Sequence, residues 1–173
     1  MTKERRRKGF QSFITLFFGI LIVGFYLFRY QSALSEKKEN YLQSLVFQKE
    51  GELLLKDENK TPVIKIDIEF AETEDKRIQG LMFRKSMPEK AGMLFLFDEE
   101  GEKSFWMKNT QIPLDILFID KEKKIMHIVE NTVPYSLIPI RSEGKAFLVL
   151  EVNSGFVKTY KIKKGMKVEY TRT

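Results

Sequence analysis

The feature that constrains this chain most is a run from Phe10 to Phe28 without one charged side chain, directly behind Lys3, Arg5, Arg6, Arg7 and Lys8. At helical rise such a run extends about 28 Å, close to the hydrocarbon thickness of a bilayer. Gln11, Ser12 and Thr15 are its only hydrogen-bonding polar side chains before Tyr26. A helix also satisfies its own backbone groups, so the run is expected to cross a membrane once. Lys and Arg beside a spanning helix stay on the cytoplasmic side, which puts the remainder of the chain outside. The expected organisation is a basic cytoplasmic segment over 1–9, a transmembrane helix over 10–28 and a charged, partly helical spacer over 29–42. An extracytoplasmic domain follows over 43–173. The lipid bilayer is the first expected partner, and the location is the cytoplasmic membrane. A cleavable secretory signal is the alternative, because Ala33-Leu34-Ser35 resembles a small-x-small cleavage site. Against it, the apolar run is longer than a signal core and Arg29 interrupts the approach to that site. Either route leaves the domain outside the cytoplasm, secreted or periplasmic if the signal is cleaved.

The net charge of +6 belongs mostly to this segment. Residues 1–30 hold six basic and one acidic side chain, which leaves 24 basic against 23 acidic in the remainder. Lys and Glu are interspersed there, so no basic stripe suited to nucleic acid is expected. The chain has no cysteine, which removes disulfides, thiolate metal sites and a cysteine nucleophile together. Its one histidine, His127, lies in the strand-like Ile125-Met126-His127-Ile128-Val129 and is expected to pack rather than to catalyse. Met82, Met87, Met93, Met107 and Met126 are spread among apolar positions instead of sitting at ligand spacing, so core filling is expected of them. Neither cofactor nor metal is expected.

Strand signals dominate from residue 52 onward. Ile64, Ile66, Ile68 and Phe70 alternate with Lys65, Asp67 and Glu69, giving one buried and one wet face, and Glu52 to Leu55 should form a hairpin with them. Thr73 is suited to cap a short helix to about Met82, with Ile78 and Leu81 on its inner side. Gly92 to Phe97 and Lys103 to Lys108 read as a second hairpin around Asp98-Glu99-Glu100-Gly101, and Leu114 to Asp120 with Lys124 to Val129 as a third. Ala146 to Val152 is a further strand. Ser154 should cap a second short helix through Tyr160, and Met166 to Tyr170 closes the domain. The expected class is mainly β (α+β): a compact sheet or partly closed barrel of short antiparallel strands with two short helices, plus the N-terminal transmembrane helix.

Four stretches carry a specific resemblance: Arg77-Ile-Gln-Gly-Leu-Met-Phe-Arg84, Ala91-Gly-Met-Leu-Phe-Leu-Phe97, Ser104-Phe-Trp-Met-Lys-Asn-Thr110 and Ile112-Pro-Leu-Asp115. With the closing Val149-Leu-Glu-Val-Asn-Ser-Gly155 and Lys164-Gly165, they are similar to the bacterial and archaeal domain-of-unknown-function 192 family. The resemblance covers about Phe47 to Tyr170. It implies a compact, mostly β domain behind a signal or anchor, and no known enzyme class.

Chemistry-bearing residues concentrate in one segment. On a continuous strand Trp106, Lys108 and Thr110 would share a face, with Phe105, Met107 and Asn109 on the other. Trp106 beside Lys108, with Arg84, Asn109 and Asp115 nearby, would offer an aromatic plate and a cation to a carbohydrate or a small anionic ligand. The opposing reading makes Asn109 and Thr110 turn scaffold. Asp115 and Glu151 are carboxylates inside apolar strands, and need a partner such as Arg77, Arg84 or Lys108. Two functional classes follow. The leading one is a non-catalytic binding or accessory module of the cell envelope, and the rival is an envelope polysaccharide hydrolase working through Asp115 and Glu151.

Overall fold

The computed structural model describes residues 3–173, with side chains from residue 21 onward apart from Ser44. It divides into two units, Met1–Gln43 and Ser44–Thr173. In the first, helix α1 runs over Lys3–Ser44, so the spacer expected over 29–42 is helical throughout. Among the described residues no helix is long and apolar enough to cross a membrane. The side chains of residues 10–20 of the expected span, and the basic cluster before them, lie outside the described residues.

The second unit is built on one seven-stranded sheet. Its strands are β1 (Gly51–Lys56), β2 (Pro62–Ala71), β3 (Ala91–Phe105), β4 (Leu114–Ile119), β5 (Ile125–Val129), β6 (Ile140–Asn153) and β7 (Lys167–Arg172), with α2 (Glu74–Gln79) and α3 (Phe156–Tyr160) between them. The spatial order is β5-β4-β6-β3-β2-β1-β7. The two end strands meet at a bridge between Lys124 and Lys167, where the Ile125 amide donates to the Met166 carbonyl at 2.8 Å and the Val168 amide to the Lys123 carbonyl at 2.9 Å. The sheet is thereby partly closed into a barrel.

Side-chain alternation sends one set of residues inward from every strand. Leu53, Ile68, Leu94, Leu117, Leu150 and Val168 are among those in this inner core, with Phe156 and Val157 of α3 packed against them. The other set, including Met93, Phe95, Ile116, Phe118 and Val149, forms a second core on the outer face of β3, β6 and β4, closed by Leu81, Met87 and Met107. Both faces of the central strands are therefore buried, which explains why β4 reads as an unbroken apolar run around Asp115.

Three expectations about the sheet fail. Glu69 does not lie on a wet face, because the segment after α2 covers it and leaves it 6 % exposed. The second hairpin does not form. Residues 91–105 make one long strand that pairs with β6 at both ends, over 92–96 and again from Gly101 to Phe105, and Asp98 to Glu100 falls in the register irregularity between them instead of a turn. The strands are also not all antiparallel: β2 and β3 run parallel, Phe70 opposite Leu94, because α2 carries the chain back across the sheet. The first and third hairpins form in the expected order, and Thr73 caps α2 by accepting the Lys76 amide. That helix ends at Gln79, earlier than expected, and its Ile78 faces solvent while Leu81 is buried. For α3 the capping position is Gly155, not Ser154.

Candidate functional site: a cleft between α2 and Trp106 floored by Glu151

Strand β3 stops at Phe105, so residues 106–110 form a turn and the strict alternation expected of them is lost. Trp106 is half exposed at 48 %, whereas Met107 and Thr110 are buried. Asn109 takes a left-handed backbone, φ 55°, which short polar side chains tolerate better than most. Its carbonyl accepts the Phe83 amide at 2.8 Å, and the Thr110 carbonyl accepts the Tyr135 amide at 3.1 Å. Asn109 and Thr110 are therefore the scaffold that joins three loops, those around 83, 108 and 135. Lys108 stands with its ammonium 4.9 Å from the centre of the Trp106 ring, inside cation–π range.

Beneath Trp106 lies a cavity of about 30 Å³ lined by Ile78, Leu81, Met82, Phe95, Phe105 and Thr110, with Glu151 among its walls. Gly80 shapes it: a left-handed φ of 46° ends α2 there, and a Cβ would come within 3.3 Å of the Phe95 ring. A second, shallower depression of about 260 Å³ lies beside Trp106, lined by Ser104, Phe105 and Pro139.

Glu151 comes from the outward set of β6, directly between Met93 of β3 and Ile116 of β4. It is 5 % exposed. Among the described residues no side-chain hydrogen bond acts on its carboxyl, and the Arg84 guanidinium is the one charge that does. Burial pushes the group up to about 8, with the Arg84 guanidinium pulling the other way, so at neutral pH it is chiefly the neutral acid. Arg84 is not its partner. That guanidinium is 3 % exposed and grips Glu69 with both terminal nitrogens, Nη2 to Oε1 at 3.0 Å and Nη1 to Oε2. Glu69 also accepts the Gln48 amide at 3.1 Å, and Arg84 Nε is left buried without an acceptor. Arg77 turns its guanidinium to the Glu72 and Leu96 carbonyls, beside the Phe97 ring.

The expected carboxylate pair does not exist. Asp115 lies opposite Val152 and points into the inner core, while Glu151 lies opposite Ile116 on the outer face. The two are on opposite sides of the sheet, so no substrate could sit between them as glycosidic hydrolysis requires. Asp115, wholly buried, instead accepts the Asn131 amide with Oδ1 and the Val157 amide with Oδ2, both at 2.9 Å, which fixes the first turn of α3. Asp115 therefore leaves the candidate site. His127 packs as expected, its ring stacked on Phe118 with 5.6 Å between centroids and Nε2 3.3 Å from Glu143. Among the described residues no group of acidic or histidine side chains could hold a metal.

Of the expected site residues, the structure thus gathers Trp106 and Glu151 around one cavity, sets Lys108 against the Trp106 ring, commits Arg84 to Glu69, and assigns Asn109 to the turn. Glu69, Ile78 and Met82 were not anticipated. The signal for Glu69 was present in the need of Arg84 for an acid, but sequence distance hides which acid a loop will cover.

A larger depression of about 470 Å³ lies over Lys49, Glu50, Lys76 and Arg172. Its charges already satisfy one another through Lys76–Glu50 and Arg172–Glu72 contacts, so it has less to offer a ligand.

No curated protein matches this chain. A crystal structure from Sinorhizobium meliloti 1021, described as a candidate transcription regulator, is similar at a TM-score of 0.68 and 38 % identity, over 72 % of this chain and 95 % of that one. A protein of unknown function from Novosphingobium aromaticivorans DSM 12444 is similar at a TM-score of 0.65 and 36 % identity, over 68 % of this chain and 83 % of the other. The family model DUF192, uncharacterized ACR, matches residues 55–170, which contain β2 to β6 and the cleft, and the chain belongs to that family.

Proposed function

We propose that the DUF192 domain is a non-catalytic binding module of the cell envelope, and that the cleft between α2 and Trp106 is where its ligand enters. The observation that carries this reading is Glu151: a carboxyl 5 % exposed, without a protein partner, in the wall of a cavity below a half-exposed tryptophan. A buried polar group without a partner costs free energy in the empty protein, and a ligand that satisfies it recovers that cost on binding. The collar supports a further contact area. Phe83, Tyr135, Leu137 and Ile138 are exposed on the loops that hydrogen bonds tie to the Trp106 turn, and clustered exposed apolar groups mark binding surfaces.

A binding role is favoured over hydrolysis because Asp115 lies on the opposite face of the sheet and Glu69, the other buried carboxyl on the side of Glu151, is committed to Arg84. The regulator description of the Sinorhizobium protein is not carried over, since DNA binding needs a basic face and the charges of this domain are nearly balanced. The module is held at a bilayer by residues 10–28, with the basic segment inside and the domain outside. That arrangement is supported by the uncharged run behind five basic residues. Trp106 is the only tryptophan in the chain, so its emission tests the site directly. Titration with small polar and charged compounds should yield at least one saturable change in emission that Trp106→Phe and Glu151→Gln alter together with affinity. A set that leaves Trp106 unaffected throughout would refute the cleft. Protease added outside intact spheroplasts should degrade the domain; full protection would refute the orientation.

A further inference from the structure

We infer that the group entering the cleft is a primary ammonium on a slim alkyl stem, seated against Glu151. This rests on the cleft being the ligand site, as proposed above. Glu69, Arg84 and Glu151 are buried together, two acids and one base. The guanidinium of Arg84 is committed to Glu69 by a two-nitrogen grip, which neutralises one acid and leaves Glu151 over. A buried acid of this kind must either keep its proton or meet a cation. The remaining base lining the cavity, Arg77, is turned away to the carbonyls of Glu72 and Leu96. No other charged side chain lines the cavity, and the rest of the lining around Glu151 is Gln79 and Thr110, Gly80, the rings of Phe95, Phe105 and Trp106, and the apolar Ile78, Leu81 and Met82.

Size and surroundings narrow the cation. A cavity of about 30 Å³ admits a group the size of one or two water molecules, which suits an ammonium and its first methylene but not a trimethylammonium or a planar guanidinium. Aromatic faces attract cations, and the chain shows this at the same ring: the Lys108 ammonium rests 4.9 Å from the centre of Trp106. An alkyl stem leaving the cavity would run between Ile78 and Trp106, which are exposed to 61 % and 48 %. On binding, Glu151 releases its proton to solvent and the resulting carboxylate pairs with the ammonium, so the exchange conserves charge within the site.

The test uses the full chain in detergent micelles, with Trp106 emission as readout and n-butylamine as probe. Butylamine should produce a saturable change, whereas tetramethylammonium, butyramide and butyrate should not. Its apparent affinity should rise about tenfold per pH unit from pH 6 to 8 and then level, since the probe stays protonated while Glu151 gives up its proton. Glu151→Gln should abolish saturation while the melting transition is kept. An arm with Nα-acetyl-lysine amide separates a polypeptide lysine from a free amine as the natural source of the group. Saturation by butyramide or butyrate without butylamine would overturn the ammonium and leave the cleft standing. Silence from every probe would overturn both. Butylamine binding that is flat from pH 6 to 8, or unchanged in Glu151→Gln, would place the amine elsewhere and refute the inference.

Discussion

Replacing Glu151 by Gln should change the pH dependence of stability more than stability itself. The native carboxyl holds its proton up to about 8, against 4.5 for the same group exposed in the unfolded chain. Between those values the native state binds one proton that the unfolded state has released. The sign follows: stability falls as pH rises, by about 1.4 kcal/mol per pH unit, and the fall ends once the native group also ionises. From pH 5 to pH 8 the accumulated loss is about 4 kcal/mol, a large share of the roughly 5–15 kcal/mol that holds a domain of this kind together. For a domain of this length that corresponds to roughly 10–20 °C in melting temperature. Gln keeps the shape of the side chain and cannot titrate. The melting temperature of Glu151→Gln minus that of the parent should therefore climb steadily from pH 5 to 8 and stay level to pH 9. Taking the difference at each pH removes the contribution of every other group. Thermal unfolding followed by circular dichroism in matched buffers is sufficient, with urea curves at pH 5 and pH 8 to convert the shift into free energy. A difference that does not change across this range would mean that Glu151 is ionised and partnered in the folded protein, and the account of the cleft floor would be wrong.

Arg84→Met strands Glu69 as a buried charge and should cost about 3–5 kcal/mol in urea unfolding, while the double change Arg84→Met, Glu69→Met recovers most of it; no recovery would show that Arg84 packs rather than pairs. Asp115→Ala removes the acceptor of two amides and should cost about 2–5 kcal/mol without altering Trp106 emission, so a changed emission spectrum would refute its separation from the cleft. Because half of the Trp106 ring already meets solvent, Trp106→Ala should cost only about 1–2 kcal/mol, and a loss above about 3 kcal/mol would make the ring a core element. Residues 44–173 contain both cores, so expressed alone they should melt in one cooperative transition, and a flat melting curve would refute the independence of this unit.

Local chemistry in the sequence determined the elements whose causes are themselves local. Alternation in β2, the Lys121-Glu122-Lys123 turn between β4 and β5, the Thr73 cap and the family signature across 77–115 could all be read from neighbouring residues. What failed were readings that depended on which distant segment lies on top. Asp98 to Gly101 has the composition of a turn, yet β6 pairs with β3 on both sides of it and absorbs it as a bulge within one strand, through contacts about fifty residues away. Glu69 alternates as a solvent-facing residue should, and becomes buried only because the segment carrying Arg84 folds over it. Asp115 and Glu151 look equivalent in sequence, each a single acid inside an apolar strand. Their roles diverge because the sheet has two buried faces: pairing opposite Val152 sends one inward to backbone donors, and pairing opposite Ile116 sends the other outward to a cavity without any. Register across strands decides that, and register is set by the packing of the whole sheet, so only the tertiary structure could separate the acid that holds backbone amides from the one in the cavity wall.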